Sequence, residues 1–317
     1  MSDLHEALDQ YLSIRRSLGY ELRNVERILR GFVSFLDSQG ASHITTELAL
    51  AWVKQPEDLQ SATRAARLGV VRRFAVWDST MDPRTEVPPD GLLPYRYHRT
   101  PPYIYSDKEI QALVRAAGNL PSSLGLRAHT YSTLFGLLAV TGMRLSEALK
   151  LDRDDVDLDE GILSIRLSKF RKSRLVPVHR STMVALNAYE EKRNLLLPAP
   201  ATLAFFVSEK GTRLTGWAAR YTFARVSRQV GLRPPVVAGR RHGRGPRLHD
   251  MRHRFAARTL IDWYRAGLDA ERQMPKLAAY LGHVHVADTY WYLEAVPELL
   301  QLATERVVQQ KRREGLS

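Results

Sequence analysis

The sequence predicts a mainly α-helical protein with a small β element, and three observations support this fold class. Apolar residues recur at a 3.6-residue period along most of the chain, as they do over residues 25–36. Residues 161–178 instead alternate apolar and polar side chains around a basic centre, which is typical of a β-hairpin or a small sheet edge. A proline-rich stretch at 82–102 separates two periodic regions. We therefore expect a helical domain, a linker and a larger, mostly helical second domain.

The first 80 residues are predicted to form four helices. Apolar stripes cover residues 4–12 and 25–36, and Gly19 and Gly40 follow them as stop signals. Thr45 or Thr46 can cap a third helix. The fourth helix, SATRAARLGVVRRFAVWDS, carries four arginines on its polar side, with few acids nearby, so we expect phosphate contacts there; a solvated helix face is the alternative. These arginines are Arg64, Arg67, Arg72 and Arg73.

The predicted boundaries are 1–85 for the helical domain, 86–103 for an extended linker and 104–317 for the second domain. Ser106, with Glu109 three residues later, has the spacing of a capping box and predicts a helix start. A long apolar helical stretch follows and is interrupted at Thr141 and Gly142. After Ser181 the helical period returns, except in a Gly/Arg/Pro-rich loop at 231–247.

Composition limits the classes of partner and of chemistry. The chain has 47 Lys and Arg against 34 Asp and Glu, a net charge of +13, which favours a polyanionic partner over the alternative of a merely basic protein. The absence of cysteine excludes disulfides, thiolate catalysis and cysteine zinc sites. No apolar run is long enough for a transmembrane helix, and the acidic N-terminus does not resemble a signal peptide. We expect an intracellular protein with no membrane partner.

Two arginine motifs lie directly after glycine-containing breaks between predicted helices. Arg144 follows Gly142 where a helix begins again, and Glu147 lies three residues later on the same helical face. In RLHDMRH, His249 and Arg252 are three residues apart on another helix. A guanidinium offers a bidentate fork to phosphate oxygens, and an imidazole can exchange a proton near neutral pH. Taken alone, the first motif is equally well explained as a surface ion pair.

Two further motifs carry a lysine and a tyrosine. Lys169 and Lys172 lie near the tip of the predicted hairpin, where a lysine can enter a DNA groove and protonate a leaving oxygen; solubility is the alternative explanation. In LGHVHVADTYWY, His283 precedes Tyr292 by nine residues, and Tyr290 lies two residues before that tyrosine.

We expect no metal and no other cofactor. His283 and His285 could suggest a metal site, but the chain has no HExxH motif, and the surrounding arginines would repel a divalent cation.

These residue types together predict phosphoryl transfer through a tyrosine. A phenol, with a pKa of about 10, is a weak nucleophile unless cations stabilise the phenolate and the transition state. A phosphotyrosine ester conserves the energy of the broken bond, so that a strand can be rejoined without ATP. The pattern therefore indicates DNA strand transfer rather than hydrolysis.

Five segments, in order, resemble the tyrosine recombinase (phage integrase) family: TGMRLSEALKL, SKFRKSRLVPV, LHDMRH, YLGH and DTYWYL. The resemblance implies an α-rich catalytic domain with a small β-sheet or hairpin. The N-terminal region resembles, less specifically, the family's helical core-binding (SAM-like) domain.

The resemblance implies a role for each residue that matches a motif. The arginines would clamp the scissile phosphate, the hairpin lysine would protonate the leaving 5′-oxygen, and the tyrosine would be the nucleophile. The first histidine would transfer a proton to and from the tyrosine, and the second would hydrogen-bond the phosphate. The implied catalytic set is Arg144, Lys169, His249, Arg252, His283 and Tyr292, with Glu147 supporting Arg144. The expected DNA contacts are Arg64, Arg67, Arg72, Arg73, Arg96, Lys172, Arg240, Arg241, Arg244 and Arg247, of which Lys172 is also a lesser candidate for the acid.

The resemblance also implies a site-specific recombinase or integrase that acts through a 3′-phosphotyrosyl intermediate and Holliday-junction strand exchange, in mobile-element integration, excision or transposition. Two domains would clamp duplex DNA, four protomers would assemble on it, alone or with sister recombinases, and the enzyme would work in the cytoplasm on the nucleoid. The amphipathic C-terminal segment would pack on a neighbour or on its own domain. The alternatives are a type IB topoisomerase-like enzyme and a non-catalytic DNA-binding accessory protein derived from a recombinase.

Overall fold

The computed structural model of the chain describes residues 4–305, apart from 56–58, 96–101, 167–172, 199–200, 236–244, 284, 287–288, 291–297 and 302–303. The chain divides into two compact units, Met1–Thr100 and Pro101–Ser317. In these described ranges, helices dominate both units and the strands form one small three-stranded sheet, so the predicted mainly α fold class is confirmed. Among the described residues, no helix combines the length and the apolar character that crossing a membrane requires.

The described part of the first unit contains four helices, as predicted. They are α1 (Leu4–Ser17), α2 (Arg23–Ser38), α3 (Thr46–Lys54) and α4 (Ser61–Asp78). Their apolar stripes meet in one core around Leu8, Phe32 and Phe74, each of which is fully buried. Thr45 is the residue that caps α3, since its hydroxyl accepts a hydrogen bond from the Leu48 amide at 3.2 Å.

The described part of the proline-rich stretch packs back along the first unit. The Glu86 amide donates to the Ile44 carbonyl at 2.8 Å, and the Glu86 carboxylate accepts from the Thr46 amide at 2.8 Å. Farther on, the Pro94 carbonyl accepts from the Ser61 hydroxyl at 2.7 Å. This segment is therefore held by hydrogen bonds as far as Pro94.

Among its described residues, the second unit contains the sheet, a short 3-10 helix (Arg153–Asp155) and seven α-helices. The helices are α5 (Asp107–Gly118), α6 (Leu126–Thr141), α7 (Leu145–Lys150), α8 (Arg180–Leu196), α9 (Gly216–Gln229), α10 (Asp250–Arg265) and α11 (Ala270–Leu281). The predicted capping box at Ser106 and Glu109 is present at the start of α5. Gly142, with φ +60°, ends α6 where the interruption was predicted.

The predicted hairpin belongs to a slightly larger sheet. Strands β1 (Val156–Asp157), β2 (Ile162–Ile165) and β3 (Arg174–Pro177) pair antiparallel in that order, with Ile165 opposite Arg174. The hairpin tip lies outside the described residues.

The prediction that helical structure continues from Ser181 to the basic loop is wrong for the segment between α8 and α9. Isolated bridges pair Val207 with Arg213 and Ala204 with Asp152. Phe205 and Phe206 are fully buried in this extended segment, because the run AFFV (204–207) packs into the core of the second unit.

A second apolar cluster joins α10 and α11. It contains Leu260, Met274 and Leu281, and Leu299 from the C-terminal segment is fully buried with them. The C-terminal segment was expected to pack either on a neighbouring protomer or on its own domain. Its described start packs on its own chain. The remainder from residue 306 onwards lies outside the described residues.

Gly142 is expected to be intolerant of any side chain. A Cβ at this position would lie 2.6–2.9 Å from Phe255 atoms on α10 and would occupy a left-handed backbone conformation. Gly142→Ala should therefore lower the free energy of unfolding by more than about 2 kcal/mol. Denaturant titration followed by circular dichroism measures this change.

Gly136→Ala in the same helix is the matched control. Gly136 lies within α6, and a methyl group added there would meet no atom within 4 Å beyond its own stretch of helix, so alanine should raise stability by about 0.5–1 kcal/mol. Equal effects of the two substitutions would contradict the close packing of Gly142 on Phe255.

Candidate active site

Five of the residues predicted to carry the chemistry lie in the described structure, around one end of α11. They are Arg144, Glu147, His249, Arg252 and His283. Of the other predicted positions, the four arginines of α4 and Arg247 are also described. The rest lie outside the described residues, namely Arg96, Lys169, Lys172, Arg240, Arg241, Arg244 and Tyr292.

Glu147 is the buried centre of the site. Its side chain is only 3% exposed, and its two oxygens accept hydrogen bonds from two guanidinium groups. Arg144 donates to Oε1 at 2.7 Å, and Arg174 donates to both oxygens at 3.1 and 2.8 Å. The Arg144 amide donates to Oε2 at 2.9 Å. Burial alone would raise the pKa of the Glu147 carboxyl, but these hydrogen bonds outweigh it and lower the pKa to about 2.

Three arginines meet the last carbonyl groups of α11. Arg174 donates to the Tyr280 carbonyl at 2.8 Å, Arg252 donates to the Leu281 carbonyl at 2.7 Å, and Arg144 donates to the Gly282 carbonyl at 3.0 Å. The final carbonyls of a helix have no partner within the helix and carry partial negative charge. Positive guanidinium groups are therefore favoured at this position, and each is fixed by the backbone as well as by side chains.

The glycine at the end of α11 makes this arrangement possible. Gly282 has φ +70°, and the His283 amide bonds back to the Ala278 carbonyl at 2.9 Å, which is the Schellman pattern. In this turn, backbone amides donate hydrogen bonds to the carbonyls of Ala278 and Ala279. The next three carbonyls accept hydrogen bonds from the arginines instead. It also sets the position of His283, whose Nδ1 lies 2.7 Å from the hydroxyl of the buried Thr289.

Arg252 is anchored at both ends of its guanidinium. One nitrogen donates to the Gly142 carbonyl at 3.0 Å and the other to the Leu281 carbonyl, and the residue is only 2% exposed. The side chain thus connects the end of α6, the start of α10 and the end of α11.

His249 lies at the start of α10, in a turn held by several groups. The Tyr105 hydroxyl donates a hydrogen bond to the Arg247 carbonyl at 3.0 Å, and the Arg233 guanidinium donates one to the Pro246 carbonyl at 2.9 Å. The buried Asp250 carboxylate accepts from the Arg247 amide at 2.7 Å. The peptide groups that lead to His249 are therefore fixed on both sides of the turn.

The pKa of His249 lies below its ordinary value. The main cause is that surrounding protein removes water from the ring, although part of the side chain reaches the surface; the positive charge of Arg252 is the next cause. Arg247 and Arg144 lower it further, and Asp250 opposes them. The neutral imidazole, which can accept a proton, is thus the favoured form at neutral pH.

A cavity of about 410 Å³ opens beside these groups. Four guanidinium groups and one imidazole line it together with mainly apolar side chains; the charged and imidazole groups are those of Arg144, Arg220, Arg233, Arg247 and His249. Such a cavity is suited to an anion such as a phosphate. Within the described parts of the chain, no group of three or more His, Asp or Glu side chains is arranged to hold a metal ion.

Arg174 is the main residue that the sequence analysis missed. It lies on β3, where Val176 is buried and Leu175 is 62% exposed, so Arg174 shares the inward face with Val176. An arginine on the apolar face of a strand was the available signal. Thr289, which contacts His283, carried no comparable signal in the sequence.

The described tyrosines near the end of the chain differ in environment. Tyr280 stacks on Phe255 with ring centroids 5.4 Å apart, as expected for a packing residue, and burial raises its pKa to about 12. Tyr290 is 40% exposed.

The arginines of α4 have different partners. Arg72 donates to the Pro88 carbonyl at 3.0 Å and pairs with Asp90 at 3.0 Å, and Arg67 lies over the Trp52 ring at 3.9 Å. Arg73 is exposed. Their predicted DNA contacts stay a prediction, and so does that of Arg247, which pairs with Asp250.

The substitution Glu147→Gln should destabilise the second unit strongly. It leaves Arg144 and Arg174 without their buried counter-charge, and removing one partner of a buried pair costs about 3–5 kcal/mol. Because folding lowers the pKa of Glu147 from 4.5 to about 2, the stabilisation is complete above pH 4.5 and is lost as the pH falls towards 2. The difference in unfolding free energy between wild type and variant, measured against pH, should therefore shrink in that interval.

Asp107→Asn serves as the control. Asp107 also accepts from two arginines, Arg254 and Arg258, but its side chain is 55% exposed. We expect a far smaller loss for this variant, because water screens the exposed carboxylate and Arg258, and the less exposed Arg254 keeps its hydrogen bond to the Tyr105 carbonyl. A Glu147→Gln effect that is no larger, or one that persists unchanged at pH 2, would contradict the proposed centre of the site.

Comparison with known proteins identifies relatives along almost the whole chain. A family model described as "Phage integrase family" matches residues 105–298. The "Putative integrase/recombinase y4rB" of Sinorhizobium fredii is 48% identical over 97% of this chain and 98% of its own length. The "Tyrosine recombinase XerD" of Neisseria meningitidis serogroup B is 29% identical over 93% of this chain and 92% of its own.

A solved structure has a similar fold. It is described as a lambda integrase tetramer bound to a Holliday junction and has a TM-score of 0.62. The match covers 91% of this chain and 79% of the other at 18% identity, so it is informative about the fold alone.

Proposed function

This chain belongs to the phage integrase family and is a tyrosine-type site-specific recombinase, and we propose that it cleaves and rejoins duplex DNA through a covalent 3′-phosphotyrosyl intermediate. The observation that carries the proposal is the anchoring of Arg144 and Arg252 to adjacent carbonyls at the end of α11, with His283 as the next residue. This arrangement concentrates fixed positive charge where a phosphate can be bound.

The two arginines act on the scissile phosphate in this proposal. Arg144 lines the cavity while it contacts Glu147 and the Gly282 carbonyl, and a guanidinium has further N–H donors for phosphate oxygens. Arg252 completes the clamp, and His283 hydrogen-bonds the phosphate. Since protein already holds these groups, little reorganisation is needed as charge develops on the transferring phosphoryl group.

Tyr292 is the proposed nucleophile. Its phenolic oxygen attacks the scissile phosphorus, forms a tyrosine O–P bond and breaks the bond between phosphorus and the 5′-oxygen. The phenolic proton passes to His249, whose lowered pKa favours the neutral, accepting form. Lys169 protonates the departing 5′-oxygen, and Lys172 is the lesser candidate for this role.

Rejoining reverses these steps. A 5′-hydroxyl of the partner strand attacks the phosphotyrosine, its proton passes to the lysine, and His249 returns a proton to the phenolic oxygen. Bond energy is conserved in the ester, so no cofactor or nucleotide hydrolysis is required.

We propose that the DNA-bound form is a homotetramer that exchanges strands through a Holliday junction, alone or with sister recombinases, on the nucleoid. The lambda integrase described as a tetramer on a Holliday junction supports this assembly by similarity of fold. The integrase/recombinase name of the relative from Sinorhizobium fredii supports a role in integration, excision or transposition of a mobile element. The duplex would be contacted by Arg64, Arg67, Arg72, Arg73, Arg96, Lys172, Arg240, Arg241, Arg244 and Arg247.

The decisive experiment uses a nicked suicide substrate carrying the recombination site. Wild type should accumulate a protein–DNA adduct that survives denaturation, because the nick lets the cleaved end diffuse away before rejoining. Tyr292→Phe should abolish the adduct, since phenylalanine has no oxygen to form the ester. Denaturing gel electrophoresis with labelled DNA measures the adduct.

Tyr290→Phe is the matched control and should retain the adduct. An adduct that is lost in Tyr290→Phe but kept in Tyr292→Phe would reassign the nucleophile. Specific DNA binding with no adduct in wild type would instead favour the accessory-protein alternative. Relaxation of supercoiled DNA by a monomer, without strand exchange, would favour the topoisomerase-like alternative.

A further inference from the structure

Two aromatic side chains stack on the surface of α9, outside the core of the second unit. Trp217 is 67% exposed and Tyr221 is 40% exposed. Their ring centroids are 5.2 Å apart and their planes differ by only 10°. One turn separates them on the helix, so they form a single flat apolar patch rather than two scattered residues.

The position of this patch is well defined by the fold. The opposite side of α9 is buried through Ala219, Phe223 and Val226. Thr215 caps the helix by accepting a hydrogen bond from the Ala218 amide at 3.2 Å. The patch is therefore presented by a fixed helix, at its N-terminal end.

The charge around the patch indicates a nucleic acid rather than a protein surface. Helix α9 contains Arg220, Arg225 and Arg228 and no acidic residue. Arg220 lies between the two aromatic residues in sequence and lines the same cavity as Arg144 and His249. The patch therefore adjoins, through one arginine, the place where the scissile phosphate is proposed to bind.

We propose that Trp217 and Tyr221 determine sequence specificity by contacting thymine methyl groups in the major groove beside the cleaved phosphate. This inference rests on the proposed function, because it requires the cavity to hold DNA. Arg220 contacts the adjoining backbone phosphate and fixes the register of the helix.

The chemistry of base edges selects thymine. In the major groove, the edges present hydrogen-bond donors and acceptors, and the thymine C5-methyl is the apolar group among them. The groove admits an α-helix, and residues near the N-terminus of such a helix reach the bases. The stacked rings of Trp217 and Tyr221 contribute most binding free energy in a contact that removes apolar surface of both the rings and the base from water.

A binding selection tests the proposal with the full-length protein. The probe is a pool of duplexes of random sequence, from which protein-bound members are recovered and sequenced. Wild type should enrich thymine at fixed positions, and Trp217→Ala and Tyr221→Ala should lose that enrichment while other preferred positions persist. Leu195→Ala is the matched control, because Leu195 is 72% exposed on α8 and does not line the arginine cavity.

A second measurement isolates the methyl group. Each enriched thymine in the selected duplex is replaced by deoxyuridine, which removes only the methyl. Wild-type affinity should fall about four-fold for each contacted methyl, and Trp217→Ala should be insensitive to the replacement. Unchanged thermal midpoints of the variants would show that the substitutions act on binding.

Several results would overturn this inference. They are a wild-type selection without thymine preference, an equal effect of deoxyuridine on wild type and variants, or variants that alter only self-association on DNA. The last result would assign the patch to protein contacts.

The binding selection does not depend on formation of the covalent adduct. Loss of the adduct with retained thymine selection would therefore contradict only the proposed chemistry and not this inference.

Discussion

The candidate site depends on the carbonyl groups at the end of α11, which no helical amide can satisfy. The Schellman turn at Gly282 accounts for two of them, and the next three accept hydrogen bonds from Arg174, Arg252 and Arg144. These arginines come from β3, α10 and the start of α7, so one helix terminus brings together segments that are distant in sequence. Glu147 then supplies the charge that allows two of them to lie side by side.

This arrangement explains how positive charge can be concentrated without unfolding the second unit. Buried guanidinium groups are costly unless charge and hydrogen bonds compensate them, and here Glu147 and backbone carbonyls do so. Lost hydration, followed by the positive charges of Arg252, Arg247 and Arg144, lowers the pKa of His249, which favours a proton acceptor beside the cavity. A phosphate entering this cavity would meet donors that are already oriented, which is the condition for electrostatic stabilisation of a transition state.

Much of this could be predicted from sequence, because the signals were local. The capping box at Ser106, the stop at Gly142 and the Arg144–Glu147 pair all depend on residues a few positions apart. The Arg174 contacts could not be predicted in the same way, because they join positions 27 and 106 residues apart. The extended run at Phe205 and Phe206 was mistaken for helix, because a short buried apolar run has the same appearance in either conformation. The roles of Lys169 and Tyr292 rest on the family resemblance and stay predictions.

The most direct test of the role of this helix terminus compares Gly282→Ala with Gly267→Ala. Both glycines follow a helix with nearly the same φ, +70° and +69°, so alanine should cause similar backbone strain, about 1 kcal/mol. Only at Gly282 would the new Cβ lie 2.8 Å from the Arg174 guanidinium, which Glu147 and the Tyr280 carbonyl hold in place. We predict that the rate of adduct formation on a suicide substrate falls at least ten-fold, on the order of 1.4 kcal/mol, in Gly282→Ala and is unchanged in Gly267→Ala. Equal rates in the two variants would contradict a site that depends on the end of α11.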